Sequence, residues 1–129
     1  ILAGDTVVAC GRRILPKAET TDTAKSCLQL LSGRQHRVFG GIALITADRR
    51  LFIRVVRSQV KFCRLTGNDI ADALAAGDWQ GKAGGYAIQG FAARYIRHIS
   101  GSYSNIVGFS LFDVAAFLDA AGYRPASQP

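Results

Sequence analysis

The sequence lacks several features that would assign it to a particular class of protein. It contains no methionine, one tryptophan and only nine acidic residues, of which Glu19 is the one glutamate. No apolar run reaches about 18 residues, so we expect no membrane-spanning helix and no membrane partner. The start has neither a basic segment nor a small-residue cleavage site, which argues against a signal peptide.

Cysteine is too sparse and too scattered for a disulfide framework or a zinc site. Cys10, Cys27 and Cys63 are odd in number, form no C-x-x-C pair and have no histidine at a metal-ligand spacing. Reduced, unpaired thiols are typical of the cytosol. We therefore expect a cytoplasmic location.

The residues that are present indicate one folded domain with an anionic partner. Of the 129 residues 49% are apolar, and the formal net charge is +7. The arginines are scattered without a block of like charges, so we do not expect nucleic-acid binding. A small phosphorylated ligand would need only two or three of these cations. Because the chain begins within an apolar, strand-like run, we also expect sequence upstream of Ile1.

Hydrophobic periodicity and turn residues predict mixed strands and helices. Strands are predicted over Leu2–Ala9, Arg13–Leu15, His36–Thr46, Leu51–Leu65 and Phe91–Ile99, and a polar turn running into a strand over Ser102–Gly108. Helices are predicted over Thr20–Leu31, from a capping box at Thr66–Asp69 to Gly77, and from a second box at Ser110–Asp113 to Gly122. The tail Arg124–Pro129 is predicted to be frayed.

Several connections between these elements are of hairpin length. Hairpins join antiparallel strands, which argues against a purely parallel Rossmann sheet. An α/β or α+β arrangement remains. We predict a single α/β domain over residues 1–129, with a mixed, twisted β-sheet flanked by helices.

Asp5 is the acidic residue that ordinary structural roles explain least well. It interrupts the predicted strand Leu2–Ala9, and strands are depleted in aspartate. A buried carboxylate is costly unless it is paired or bound to a metal. Asp5 is therefore a candidate general base or ligand of a divalent cation. The alternative is a strand-edge aspartate that faces solvent.

A glycine-dense segment, Gly81–Gly90, is the second candidate. Its glycines, Gly84 and Gly85 among them, would let the backbone approach phosphate oxygens, with Lys82 as a point charge. It is not a P-loop, because the spacing is one residue short and Ala83 replaces the Ser or Thr that holds Mg²⁺. The alternative is an ordinary surface loop.

Lys17 is the third candidate. It follows Pro16 just after the predicted hairpin that begins with the strand of Asp5, so the turn can return it towards Asp5. The alternative is a solvated loop lysine. The polar turn Ser102–Gly108 is explained by ordinary turn chemistry when it is taken alone.

Taken in order, these segments resemble the Maf family of nucleoside triphosphate pyrophosphatases. The resemblance runs from Leu2 to about Gly122 and is carried by five blocks in the family's order: Gly4–Val8, Lys17, Leu31–Val38, Gly81–Gly90 and Gly101–Gly108. It implies a Maf or inosine triphosphatase-like fold and a hydrolase that cleanses nucleotide pools. The reaction converts a nucleoside triphosphate to monophosphate and pyrophosphate with a divalent cation, Mg²⁺ or Mn²⁺. It also implies a homodimer.

The resemblance assigns roles to individual residues. Asp5 falls on the family's general base, Lys17 and Lys82 on its two lysines, and Thr6 and Gln89 on positions linked to base preference. The pattern Ile-Gln-Gly looks like the branch that prefers dTTP and UTP. A primary amide offers the donor and acceptor that match the edge of uracil or thymine. The alternatives are a purine or modified-nucleotide pyrophosphatase and a non-catalytic, nucleotide-binding regulator of cell division.

Three departures from the family pattern bear on activity. Gly81 stands where many members have an aspartate, and Ala18 follows Lys17 where proline is usual. The family's Ser-x-Ser-Pro-Arg-Arg phosphate loop has no counterpart here. We expect that loop and the first strand upstream of Ile1, and poor hydrolysis by the 129-residue piece alone.

Overall fold

The computed structural model describes residues 1–124, and the predicted frayed tail lies, apart from Arg124, outside the described residues. Five strands, four α-helices and one 3-10 helix form over these residues. The strands are β1 Leu2–Cys10, β2 Arg13–Leu15, β3 Gln35–Ile45, β4 Leu51–Phe62 and β5 Ile96–Ser100. The helices are α1 Thr21–Leu31, α2 Gly67–Ala76, α3 Tyr103–Val107 and α4 Leu111–Ala120, with the 3-10 helix at Phe91–Tyr95.

The strands form one sheet in the order β2-β1-β3-β4-β5. The predicted α/β fold, with helices beside a sheet, is confirmed. The prediction of a mixed sheet differs from what is found, since every neighbouring pair among the described strands is antiparallel. Short turns join β1 to β2 and β3 to β4, and because such a turn reverses the chain, these two pairs are antiparallel.

All α-helices with a buried stripe pack on one face of this sheet. Val8 of β1 pairs in register with Val38 of β3, and both lie in one buried cluster with Val60 of β4 and with Leu28 and Leu31 of α1. Further along the same face, α4 covers a second cluster of buried residues, namely Ile42, Leu44, Val114 and Phe117. No helix within residues 1–124 is long and apolar enough to cross a membrane.

The predicted starts of α2 and α4 are confirmed by their caps. Thr66 and Asp69 form the reciprocal capping box, and the Ser110 hydroxyl accepts the Asp113 N–H. Local side-chain chemistry fixes the first residues of these two helices. Both helix starts can therefore be predicted from the sequence.

Of the segments predicted as strands, one is partly helical and another is helical instead. Over Phe91–Ile99 only the end from Ile96 is a strand, because Asp78 Oδ2 accepts the Phe91 N–H at 2.6 Å where the 3-10 helix begins. The strand predicted within Ser102–Gly108 is wrong, since the Ser102 hydroxyl caps α3 by accepting the Asn105 N–H at 3.1 Å.

Candidate active site

An open cavity of about 260 Å³ lies between β1, the Gly81–Gly90 segment and the C-terminal end of α3. Its polar and charged lining comes from three separate stretches of the chain: Asp5, Thr6, Lys17, Lys82 and Gln89. Its apolar lining includes Val8, Val38, Ile88, Ile106, Val107 and Phe109. The structure therefore brings together five of the seven site residues that the sequence predicts.

Asp5 is an exposed carboxylate on β1, paired in register with Gly41 of β3. Its side chain is 76% exposed, so Asp5 is not a buried carboxylate. The Thr6 N–H donates to Asp5 Oδ1 at 2.8 Å, and Lys17 Nζ lies 3.6 Å from the same oxygen. An ion pair as exposed as this adds little to stability. Both charges remain accessible to a ligand.

Lys17 is positioned by its backbone neighbours. The Ala18 N–H donates to the Lys82 carbonyl at 3.0 Å, and the Gly81 N–H donates to the Ala18 carbonyl at 2.8 Å. The Gly84 N–H donates to the Pro16 carbonyl at 3.1 Å, and an antiparallel bridge joins Lys17 to Ala83. Proline in place of Ala18 would remove the hydrogen bond from the Ala18 N–H to the Lys82 carbonyl. The departure from the family pattern at Ala18 thus supplies a link between the two lysine-bearing segments.

Gly84 and Gly85 do not line the cavity. Both adopt left-handed φ values, of 74° and 77°. A Cβ atom on Gly84 would lie 3.1 Å from Val8, and one on Gly85 would lie 3.2 Å from Cys27. Their contacts are with the core rather than with the space where phosphates would lie. These two glycines let the segment turn closely over β1 and α1, while Lys82 and Gln89 remain exposed.

A buried His36–Tyr86 pair joins the Gly81–Gly90 segment to β3. The sequence analysis did not predict this pair. His36 Nε2 lies 2.5 Å from the Tyr86 hydroxyl, and both rings pack edge-on against Phe62. Burial lowers the pKa of His36 to about 4 and raises the pKa of Tyr86, so both are neutral at pH 7. The sequence signal for this pair is that His36 lies two residues before Val38, on the apolar face of the alternating pattern in β3.

Asn105 anchors α3 to the middle of the sheet. Its Nδ2 carries two N–H donors and lies within hydrogen-bond distance of three acceptors: the carbonyls of Val38 and Val56, at 3.3 and 3.1 Å, and the Ser58 hydroxyl, at 3.0 Å. A Cβ atom at Gly40 would collide with Asn105 Oδ1. The turn chemistry predicted for Asn105 is therefore wrong. This anchor holds the end of α3 at the wall of the cavity.

The cavity suits a hard divalent cation only together with an anionic ligand. Asp5 is the one acidic side chain that lines it, and no group of three His, Cys, Asp or Glu side chains clusters within residues 1–124. Mg²⁺ is commonly held by one or two carboxylates, waters and substrate phosphates. A single carboxylate fits this pattern.

Fold and cavity together define an α/β protein with an open site that carries two lysines and a carboxylate. The family model described as "Maf-like protein" matches residues 1–121, and the chain belongs to this family. The resemblance inferred from the ordered blocks is confirmed.

Several relatives of the chain carry the name dTTP/UTP pyrophosphatase. The protein of Paramagnetospirillum magneticum is 62% identical over 97% of this chain and 66% of its own length. The protein of Rhodospirillum rubrum is 60% identical over 97% of this chain and 60% of its own length. The protein of Mesorhizobium japonicum is 53% identical over 96% of this chain and 60% of its own length. The chain therefore spans less than two thirds of the length of the relatives that it matches.

Proposed function

We propose that the protein hydrolyses a nucleoside triphosphate, dTTP or UTP, to the monophosphate and pyrophosphate. The observation that carries the proposal is that Asp5, Lys17, Lys82 and Gln89 share one cavity although they are far apart in sequence. The names of the relatives, at 53–62% identity, support the same reaction. The three unpaired cysteines support a cytoplasmic setting.

The proposed step is attack of water on the α-phosphorus. Asp5 accepts the proton of the attacking water, the bond from the α-phosphorus to the bridging oxygen breaks, and pyrophosphate leaves with the bond's electron pair. Lys17 and Lys82 bind phosphate oxygens and offset the charge that builds up on the leaving group. A divalent cation held by Asp5 and the phosphates would further neutralise that charge.

Base preference is assigned to Gln89 and Thr6. Both line the cavity, and the Gln89 amide can donate and accept at the edge of uracil or thymine. We assign Gly84 and Gly85 to the fold of the segment rather than to phosphate contact, in view of their packing. A homodimer, by analogy with the family, belongs to the same proposal.

Replacing Asp5 tests the proposal most directly. In the full-length protein, Asp5→Asn removes the proton acceptor but keeps the size of the side chain. We expect kcat for dTTP to fall by about 100-fold or more, with nucleotide binding retained. Pyrophosphate release is measured across dTTP, UTP, GTP and 7-methyl-GTP. Asp72→Asn, an exposed position on α2, is the matched control.

Each alternative has its own result. Preferred turnover of GTP or 7-methyl-GTP would identify a purine or modified-nucleotide pyrophosphatase. Binding of dTTP by the wild type without pyrophosphate release would identify a regulator. Full activity of Asp5→Asn would show that the carboxylate is not the base.

A further inference from the structure

The cavity is lined by both charged and apolar side chains, and among the described residues one aromatic ring in the lining is exposed enough to meet a ligand. Phe109 follows α3 and lines the cavity, where it remains 38% exposed. Tyr86, the other aromatic lining residue, is 7% exposed and is engaged by His36. Phe109 is thus the aromatic surface that a molecule entering this cavity would meet.

The position of the Phe109 ring depends on Gly4. A Cβ atom on Gly4 would lie 2.6 Å from Phe109 Cε1, closer than Cβ atoms approach other atoms, and 3.0 Å from Cζ, which is a tight contact. It would also lie 3.0 Å from the Gly41 carbonyl, which the β1–β3 pairing holds in place. The absence of a side chain at Gly4 therefore lets the ring edge rest on β1. Asp5 is the next residue along that strand.

We propose that Phe109 is a substrate-binding residue that stacks on the nucleobase of the substrate. The inference rests on the proposed function, because a nucleoside triphosphate supplies both a flat ring and a chain of phosphates. Lys17 and Lys82 bind the phosphates, Gln89 binds the edge of the base, and Phe109 covers its face. Stacking adds affinity for any base, whereas the Gln89 amide selects among bases.

Phe109→Leu separates stacking from packing, since leucine keeps an apolar contact with Gly4 and removes the aromatic face. In the full-length protein we expect binding of dTTP and UTP to weaken about tenfold, with KM raised and kcat nearly unchanged. Binding of inorganic tripolyphosphate, which has no base, should be unaffected. Phe109→Tyr should restore nucleotide affinity. Phe112→Leu is the matched control, because Phe112 is an exposed ring on α4 outside the cavity.

The comparison of ligands decides the inference. Equal weakening of dTTP and tripolyphosphate by Phe109→Leu would show a structural role, and a change in dTTP affinity below twofold would show no role; either overturns the proposal. Wild-type protein that binds dTTP without hydrolysing it would overturn the proposed reaction. The effect of Phe109→Leu on dTTP affinity, relative to its effect on tripolyphosphate affinity, would still decide the role of Phe109. Failure of Phe109→Tyr to restore affinity would also contradict stacking.

Discussion

At the scale of single residues, His36 combines deep burial with a lowered pKa. Its ring is 1% exposed, Nδ1 has no hydrogen-bond partner within the described residues, and Nε2 faces the Tyr86 hydroxyl. Protonation would place a positive charge in an apolar setting. Burial therefore lowers the pKa of His36 from 6.5 to about 4.

This pKa predicts a loss of stability in mild acid. The unfolded chain takes up a proton near pH 6.5 and the folded chain only near pH 4, so protonation between these values favours unfolding. At about 1.4 kcal/mol per pH unit, the free energy of unfolding should fall by about 3 kcal/mol across this window. Urea unfolding from pH 7 to pH 4 measures the loss.

Two variants test the assignment to His36. His36→Gln should be less stable at pH 7 but should lose less stability than the wild type on acidification. His98→Gln, at an exposed position on β5, should keep the wild-type dependence. An equal loss in His36→Gln and wild type would show that other groups cause it.

At the scale of secondary-structure elements, α3 depends on one side chain. The helix spans only five residues, too few to be stable alone, and Asn105 joins it to β3 and β4. Asn105→Ala would remove a buried donor that lies within hydrogen-bond distance of two strand carbonyls and the Ser58 hydroxyl. We expect it to lower the free energy of unfolding by about 3 kcal/mol.

Urea unfolding checks this value, with Tyr103→Ala as the control. Tyr103 lies on the same helix but is half exposed, so its removal should change stability by about 0.5 kcal/mol or less. Similar losses in the two variants would contradict an anchoring role for Asn105. They would assign the effect to the helix as a whole.

The elements also show what the sequence could predict. The capping box of Thr66 and Asp69 is complete within four residues, so the start of α2 was predictable. The 3-10 helix depends on Asp78, thirteen residues from the Phe91 N–H that it accepts. Likewise, α3 is fixed to strands that lie far away in the sequence. Periodicity describes only the local chain, and it failed at these two places.

At the scale of the whole molecule, the sequence predicted which candidate residues share one cavity, but not how deeply each of them is buried. The order of the blocks was enough to group Asp5, Lys17, Lys82 and Gln89. Asp5 proved exposed, and the packing of Gly84 and Gly85 could not be inferred from composition. His36 and Phe109 were missed because a lone ring in an apolar run most often belongs to the core.

The charge of the molecule predicts that substrate binding depends on salt. The net charge is +7, and Lys17 and Lys82 lie in an open cavity where ions screen them. We expect KM for dTTP to rise by about three- to tenfold between about 50 and 300 mM NaCl. Inhibition by uncharged thymidine should stay constant. A KM independent of salt would exclude a main role for these cations in binding.

The three backbone hydrogen bonds between Pro16–Ala18 and Gly81–Gly84 set the spacing of two positive charges. Lys17 and Lys82 belong to segments that must move together, because separating them breaks all three bonds. Their backbones are therefore fixed relative to each other before any phosphate arrives. If a polyphosphate binds there as proposed, its binding would cost little further backbone entropy in these two segments. Strain or flexibility introduced at Ala18 would consequently weaken binding without removing a single charged group.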